Sequence, residues 1–196
     1  IKTVLEKNKL DGIDLDFEWA ENEKEYKDYS LAILKMREVL GDKYLFSVSL
    51  HPVCYKISKE AIEAVDFISL QCYGPSPVRF PIEKYCSDIQ MVLEYGIPRE
   101  KLVAGVPFYG VTKDNSKKTE AYFNFVQNGL VTSPAQNEVI YQGDTYVFDG
   151  QDNIRIKTRY AKEQKLKGMM SWDLATDLPL SDSRSLLKTM TEELRE

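Results

Sequence analysis

This sequence predicts an α/β fold on a mostly parallel sheet, and three observations carry that reading. Five apolar strand-like segments alternate with helical ones along the 196 residues, the rhythm of repeated βαβ units. The strands are apolar on both faces except at special polar positions, as buried parallel strands are. Those polar positions cluster toward the strands' C-terminal ends, where barrel enzymes place their chemistry. An open doubly wound sheet is one solution, but polar rows aimed inward suit the centre of a (β/α)8 TIM barrel better. Five strands cannot close a ring of eight, so three further strands are expected upstream.

The opening IKTVLEKNKL, with Val4, Leu5 and Leu10 apolar, reads as the tail of a helix running into a strand and as a segment of a longer polypeptide. Residues 11–18 form the first strand. Residues 23–40 are helical, with Tyr26, Tyr29, Ile33, Met36 and Leu40 near helical spacing and Gly41 as the stop. Residues 43–52 form the next strand, 58–65 a short helix capped by Ser58, and 65–74 a third strand. A helix over 82–96 stops at Gly96, and 101–110 is a fourth strand. The rhythm then loosens into a short insertion over 111–153. Within it, 120–129 is helical and 138–150 is a small hairpin turning at Gly143–Asp144. A helix over 153–167, a last strand within 166–177 and a closing helix over 183–195 complete the chain.

Composition narrows the function classes. With 43% hydrophobic and 29% charged residues, the chain can build one domain-sized core. A net charge of −5 does not favour nucleic-acid binding. No apolar run reaches the length of a membrane-spanning helix. The three cysteines, Cys54, Cys72 and Cys86, form no CxxC pair, and an odd number cannot all pair internally. Cys72 lies in an apolar strand and is expected as a buried free thiol. A single histidine, His51, argues against a multi-histidine metal site or a Ser-His-Asp triad. It is read as a hydrogen bonder at a strand rim.

The most informative segment is DGIDLDFEW, residues 11–19. Side chains on a strand alternate between faces, so Asp14, Asp16 and Glu18 share one face and Ile13, Leu15 and Phe17 the other. Neighbouring acids on that face lie about 7 Å apart along the chain. Like charges this close resist ionising together, and burial adds a desolvation cost. Such a row suits coupled carboxylates, one of which holds a proton near neutral pH. A wet strand face would interleave Lys or Thr among the acids, and this row has none. Divalent-cation binding is a further possibility for three acids.

The other strands add polar groups at the same end. In VDFISLQCYG, Gln71 and Tyr73 share a face with Phe67 and Ser69. In KYLFSVSLHP, Ser47, Ser49 and His51 share a face and leave space at the middle of the sheet. Trp172, near the end of GMMSWDLATD, offers a ring on which a sugar could stack. Acid row, tyrosine, glutamine and tryptophan together describe a sugar-cleaving site, which normally uses two carboxyl groups. Glu18 ends its strand and reaches furthest into a cleft.

DGIDLDFE resembles the DxxDxDxE signature of glycoside hydrolase family 18, the chitinases and related enzymes, with Asp11, Asp14, Asp16 and Glu18 all matching. VDFISLQCYG, KLVAGVPFYG and GMMSWDLATD resemble the family's sixth, seventh and eighth barrel strands, in order, so the resemblance covers nearly the whole chain. It implies that residues 1–196 are strands four to eight of the catalytic barrel. It further implies retaining, substrate-assisted cleavage of β-1,4-linked N-acetylglucosamine in chitin or chitooligosaccharides, with no metal or other cofactor. Glu18 is then the general acid and base. Asp16 holds the acetamido N–H and steadies an oxazolinium-like intermediate. Asp14 shares a proton or hydrogen bond with Asp16, Tyr73 donates to the acetamido group, and Trp172 floors the reactive sugar. Tyr109 and Gln71 join Trp172 as substrate-binding candidates, while Asp11 fixes the start of the strand. The family also implies a secreted or cell-surface protein.

Two departures from the family pattern bear on substrate choice. Gln71-Cys72-Tyr73-Gly74 stands where many members have Met-x-Tyr-Asp, so Gln71 is a sugar-contact candidate and Gly74 offers no side-chain hydrogen bond. The 111–153 stretch is too short for the large insertion that deepens some chitinase clefts, which implies a shallower groove. Two alternatives stay open: an endo-β-N-acetylglucosaminidase acting on N-glycan cores, and a non-catalytic chitin-binding lectin on the same scaffold.

Overall fold

The computed structural model describes residues 1–195. Its first half contains α1 (Lys2–Asn8), β1 (Gly12–Asp16), α2 (Glu23–Leu40), β2 (Leu45–Leu50), α3 (Lys59–Ala64), β3 (Phe67–Leu70), α4 (Ile82–Tyr95) and β4 (Leu102–Pro107). There follow β5 (Tyr109–Thr112), β6 (Thr119–Ala121), α5 (Tyr122–Gln127), β7 (Glu138–Tyr141), β8 (Asp144–Val147), α6 (Gln151–Glu163), β9 (Gly168–Trp172) and α7 (Leu186–Arg195).

Five strands form one parallel sheet in the order β1-β2-β3-β4-β9, each pair parallel. Helices connect consecutive strands, so this is an α/β arc of a (β/α)8 barrel, with β1 and β9 as its edges. On β2, Phe46, Val48 and Leu50 are buried in the apolar core, together with Ile68, Leu70, Leu102, Ala104 and Val106 of the next two strands. The alternate positions Ser47 and Ser49 point to the opposite face, as the period of two requires. Parallel register lines up Asp14 with Ser47, and Asp16 with Ser49 and then Ser69. The polar residues therefore form rows across the sheet.

Local signals act as the sequence predicts at several helix ends. Ser58 caps α3 by accepting from the Ala61 amide; Asn22, not singled out by the sequence reading, caps α2 by accepting from the Glu25 amide. Gly96 ends α4 at φ 114, a conformation open to glycine.

Three expectations change. The strands expected over 11–18 and 65–74 stop at Asp16 and Leu70, so Glu18, Gln71 and Tyr73 lie just beyond the ladder rather than in it. The strand expected over 101–110 breaks after Pro107, which has no amide hydrogen to give a neighbour. The chain then enters a second, antiparallel sheet of order β6-β5-β8-β7. The predicted hairpin is β7 and β8 of that sheet, and its turn residues are Gln142 and Gly143, at φ 52 and 89. Positive φ at both turn positions fits the tight hairpin turn that matches strand twist. That places the turn one residue earlier than expected.

Candidate active site

β1 carries the acids to an edge of the sheet. Asp14, Asp16 and Glu18 are all exposed in the described residues, where β1 is the outer strand of the sheet. Asp14 accepts hydrogen bonds from the Ser47 hydroxyl at 2.5 Å and the Ser49 hydroxyl at 2.8 Å. Both its oxygens are thus engaged by β2, filling the space those small residues leave.

Asp16 accepts a hydrogen bond from the Gln71 amide at 3.2 Å. Desolvation, then the like charges of Glu18 and Asp14, push the Asp16 carboxyl above the usual aspartate range, while the Gln71 bond pulls it back. A carboxyl so placed holds a proton more readily than a free one.

A cleft of about 270 Å³ opens at the C-terminal ends of the strands. Asp16, Glu18, Gln71, Tyr73, Tyr109 and Trp172 all line it. Of the residues singled out by sequence, only Asp14 stands outside the lining, one step behind Asp16. No hydrogen-bond partner among the described residues occupies the Glu18 carboxyl, which leaves it open to a ligand.

Tyr73 is 7% exposed, and its hydroxyl donates to the Met170 thioether at 3.6 Å. Burial first, then Tyr109, Asp16 and Glu18, push its ionisation well above the ordinary tyrosine value. It therefore stays a donor, resting on a weak sulfur acceptor. Its ring meets Tyr109 edge-on at 6.4 Å, and Phe80 supports Tyr109 from another side at 6.4 Å. Trp172 ends β9 and is 53% exposed, a free aromatic face at the cleft wall.

Sequence reasoning missed Trp19, which also lines the cleft and packs against the His51 ring at 4.9 Å. Its position directly after Glu18, past the end of the strand, was the available signal. His51 also lines the cleft. Its Nδ1 accepts from the Val53 amide at 3.2 Å, so its Nε2 donates to the Tyr73 carbonyl at 3.1 Å. Burial, followed by the Arg79 charge, holds its pKa below the usual histidine value and favours this neutral form. Among the described residues no group of three or more His, Cys, Asp or Glu side chains is arranged to hold a metal ion. All three cysteines are free, with Cys54 and Cys72 buried. Among the described residues no helix is long and apolar enough to cross a membrane.

Fold and cleft define a glycoside-hydrolase scaffold, and comparison with known proteins makes the class specific. Residues 1–177 match the model of glycosyl hydrolases family 18, and the chain belongs to that family. "Probable chitinase 2" of Drosophila melanogaster is 23% identical over 241 residues, spanning 90% of this chain and 49% of its own length. The GH18 chitinase ChiB of Flavobacterium johnsoniae aligns with a TM-score of 0.79 at 28% identity, over 98% of this chain and 63% of that one. A class V chitinase from Nicotiana tobaccum, solved in complex with NAG4, aligns with a TM-score of 0.77 at 17% identity, over 98% of this chain and 70% of that one. The last likeness is one of fold. The chain spans about half the length of its curated chitinase relative.

Proposed function

We propose that this chain carries the reacting half of a retaining chitinase, cleaving β-1,4-linked N-acetylglucosamine by substrate-assisted hydrolysis. The observation that carries the reading is the convergence of Glu18, Asp16, Tyr73 and Trp172 on one cleft. In this scheme the acetamido oxygen of the bound sugar attacks its own anomeric carbon. The glycosidic C–O bond breaks as Glu18 gives its proton to the departing oxygen. Tyr73 donates to the acetamido oxygen and orients it. Asp16 accepts from the acetamido N–H and offsets the positive charge on the ring that forms. Water then adds to the anomeric carbon and returns its proton to Glu18. Two displacements leave the anomeric configuration retained.

Asp14 acts behind Asp16. Two serines hold it in place, and its proximity is one of the causes that raise the Asp16 carboxyl. Gln71 holds the other side of Asp16, and its remaining amide oxygen is available to a sugar. Residues 1–196 are read as part of the family's catalytic domain, with 111–153 as an insertion within it.

The test is hydrolysis of chitooligosaccharides by the complete protein, with anomer analysis of the first product by NMR. Release of the β-anomer supports the reading, and the α-anomer would overturn it. The same assay with a high-mannose glycopeptide separates chitinase from endo-β-N-acetylglucosaminidase action. Binding of chitooligosaccharides without any turnover identifies a lectin.

A further inference from the structure

The segment that carries Glu18 is poorly fastened by backbone pairing. The ladder between β1 and β2 ends at Asp16, and no backbone–backbone hydrogen bond reaches residues 17–20. Phe17 at its start packs against Tyr29 at 5.2 Å, and the side chains that hold Trp19 and Ala20, beyond Glu18, both come from one tight turn at 51–54.

That turn follows β2 and is closed as an antiparallel bridge, with the Cys54 amide donating to the His51 carbonyl at 2.7 Å and the His51 amide to the Cys54 carbonyl at 3.3 Å. At one end, the Cys54 sulfur accepts from the Ala20 amide and its S–H donates to the Ala20 carbonyl, each at 3.2 Å. Cys54 and Ala20 are each 2% exposed. At the other end, His51 donates to the Tyr73 carbonyl at 3.1 Å and packs its ring on Trp19. One turn thus contacts both the loop after Glu18 and the Tyr73 backbone.

We infer that this turn is a bracket that sets Glu18 against Tyr73, making Cys54 and His51 positioning residues for the reaction. A thiol suits the Cys54 end because it both donates and accepts, and because its size fills the gap under Ala20. The neutral imidazole suits the His51 end because its two nitrogens need opposite roles, one accepting from Val53 and one donating to Tyr73. Catalysis tolerates little error in the spacing of reacting groups, and a shift of about 1 Å can cost about 100-fold in rate.

The inference rests on the hydrolytic reading above, so the experiment includes Glu18→Gln as a reference in the complete protein. Cys54→Ala is expected to lower kcat about 10- to 100-fold with KM little changed. Cys54→Ser, whose hydroxyl can still donate and accept, is expected to recover most of that loss. If Glu18→Gln abolishes turnover while folded Cys54→Ala keeps wild-type kcat, the bracket is wrong and the functional reading stands. If Glu18→Gln leaves turnover intact, the functional reading itself fails. A readout independent of turnover is the Trp19 contribution to emission, taken as the difference between each protein and its own Trp19→Phe counterpart. In that difference His51→Ala is expected to shift the emission red and Cys54→Ser to leave it in place. Unchanged emission in His51→Ala would overturn the bracket even where Cys54→Ala does not fold.

Discussion

The side-chain amide of Gln71 donates to Oδ2 of Asp16 at 3.2 Å, joining the end of β3 to β1 across the intervening β2. Gln71 is 6% exposed and Asp16 lies at an open edge. The bond therefore ties an exposed carboxylate to a buried donor. It is also the one contact that lowers the Asp16 pKa against desolvation and two neighbouring acids. Gln71→Met is expected to raise the Asp16 pKa further. Carboxyl carbon shifts followed by NMR across acid pH read this directly; an unchanged or lowered midpoint would show that the amide does not act on Asp16.

Glu18→Gln keeps the shape of the side chain and removes the carboxyl that can give and take a proton. General acid–base catalysis contributes about 10²–10⁴-fold, so turnover of chitooligosaccharides is expected to fall by that range. Binding is expected to persist, because the aromatic wall of Trp172 and the donors of Tyr73 and Gln71 are untouched. Calorimetric titration with an oligosaccharide beside a turnover assay checks both halves.

Asp16→Asn is expected to trade activity for stability. The Asp16 carboxyl is pushed up in the fold, so the native state holds its proton more tightly than the unfolded chain. Stability therefore falls as pH rises from the unfolded value of 3.8 through the higher folded one, and the cost persists at neutral pH. The neutral amide removes that cost. Melting temperature at pH 7 is expected to rise by a small amount, limited by solvent screening at this exposed site, and the gain to vanish below pH 3.8. Turnover is expected to drop. A lower melting temperature at pH 7 would contradict the charge argument.

The alternation of apolar and polar residues made the parallel strands legible, and the parity of Asp14, Asp16 and Glu18 placed them on one face. Seven residues were named for the site, and six of them meet in the cleft. What periodicity could not supply was the environment of each face. Which strand lies beside which, as when Gln71 after β3 reaches Asp16 on β1 across β2, is a tertiary property. Nor could it show that Ser47 and Ser49 leave space only to have it filled by Asp14. The split at Pro107 had a local cause, but the antiparallel partners that capture β5 come from β6, which pairs Tyr109–Val111, and from β8, which pairs Val111 and Thr112 from more than thirty residues later. His51 was legible as a hydrogen bonder, and its partner, the Tyr73 carbonyl, was not.

At Gly105 on β4 the site depends on the absence of a side chain. A Cβ there would lie 2.7 Å from the Leu70 carbonyl oxygen, 2.9 Å from the Tyr73 ring and 3.1 Å from the Met170 methyl. The Leu70 oxygen belongs to the sheet and cannot yield, so the Tyr73 ring and Met170 must move. Gly105→Ala is expected to destabilise the protein by about 1–3 kcal/mol, the usual cost of overpacking. It is also expected to lower kcat more than an equally destabilising change remote from the cleft. Thermal unfolding paired with steady-state kinetics on the folded fraction separates the two effects.

Below the cleft, Lys157 on α6 and Asp149, just after β8, form an ion pair at 2.6 Å with both side chains 0% exposed. Asn153 donates to the other Asp149 oxygen at 3.2 Å, and the Lys157 ammonium sits 5.4 Å from the centre of the Tyr85 ring on α4. The pair thus ties the end of the antiparallel sheet to two helices that back the barrel. Removing one partner strands the other charge out of water, which costs about 3–5 kcal/mol. Lys157→Met is expected to lose that much stability in urea unfolding. Lys157→Met with Asp149→Leu is expected to recover most of it, since no charge is left buried; the residual deficit belongs to the Asn153 amide that loses its acceptor. A double variant no more stable than Lys157→Met alone would show that the pair holds the two layers by geometry rather than by mutual charge compensation.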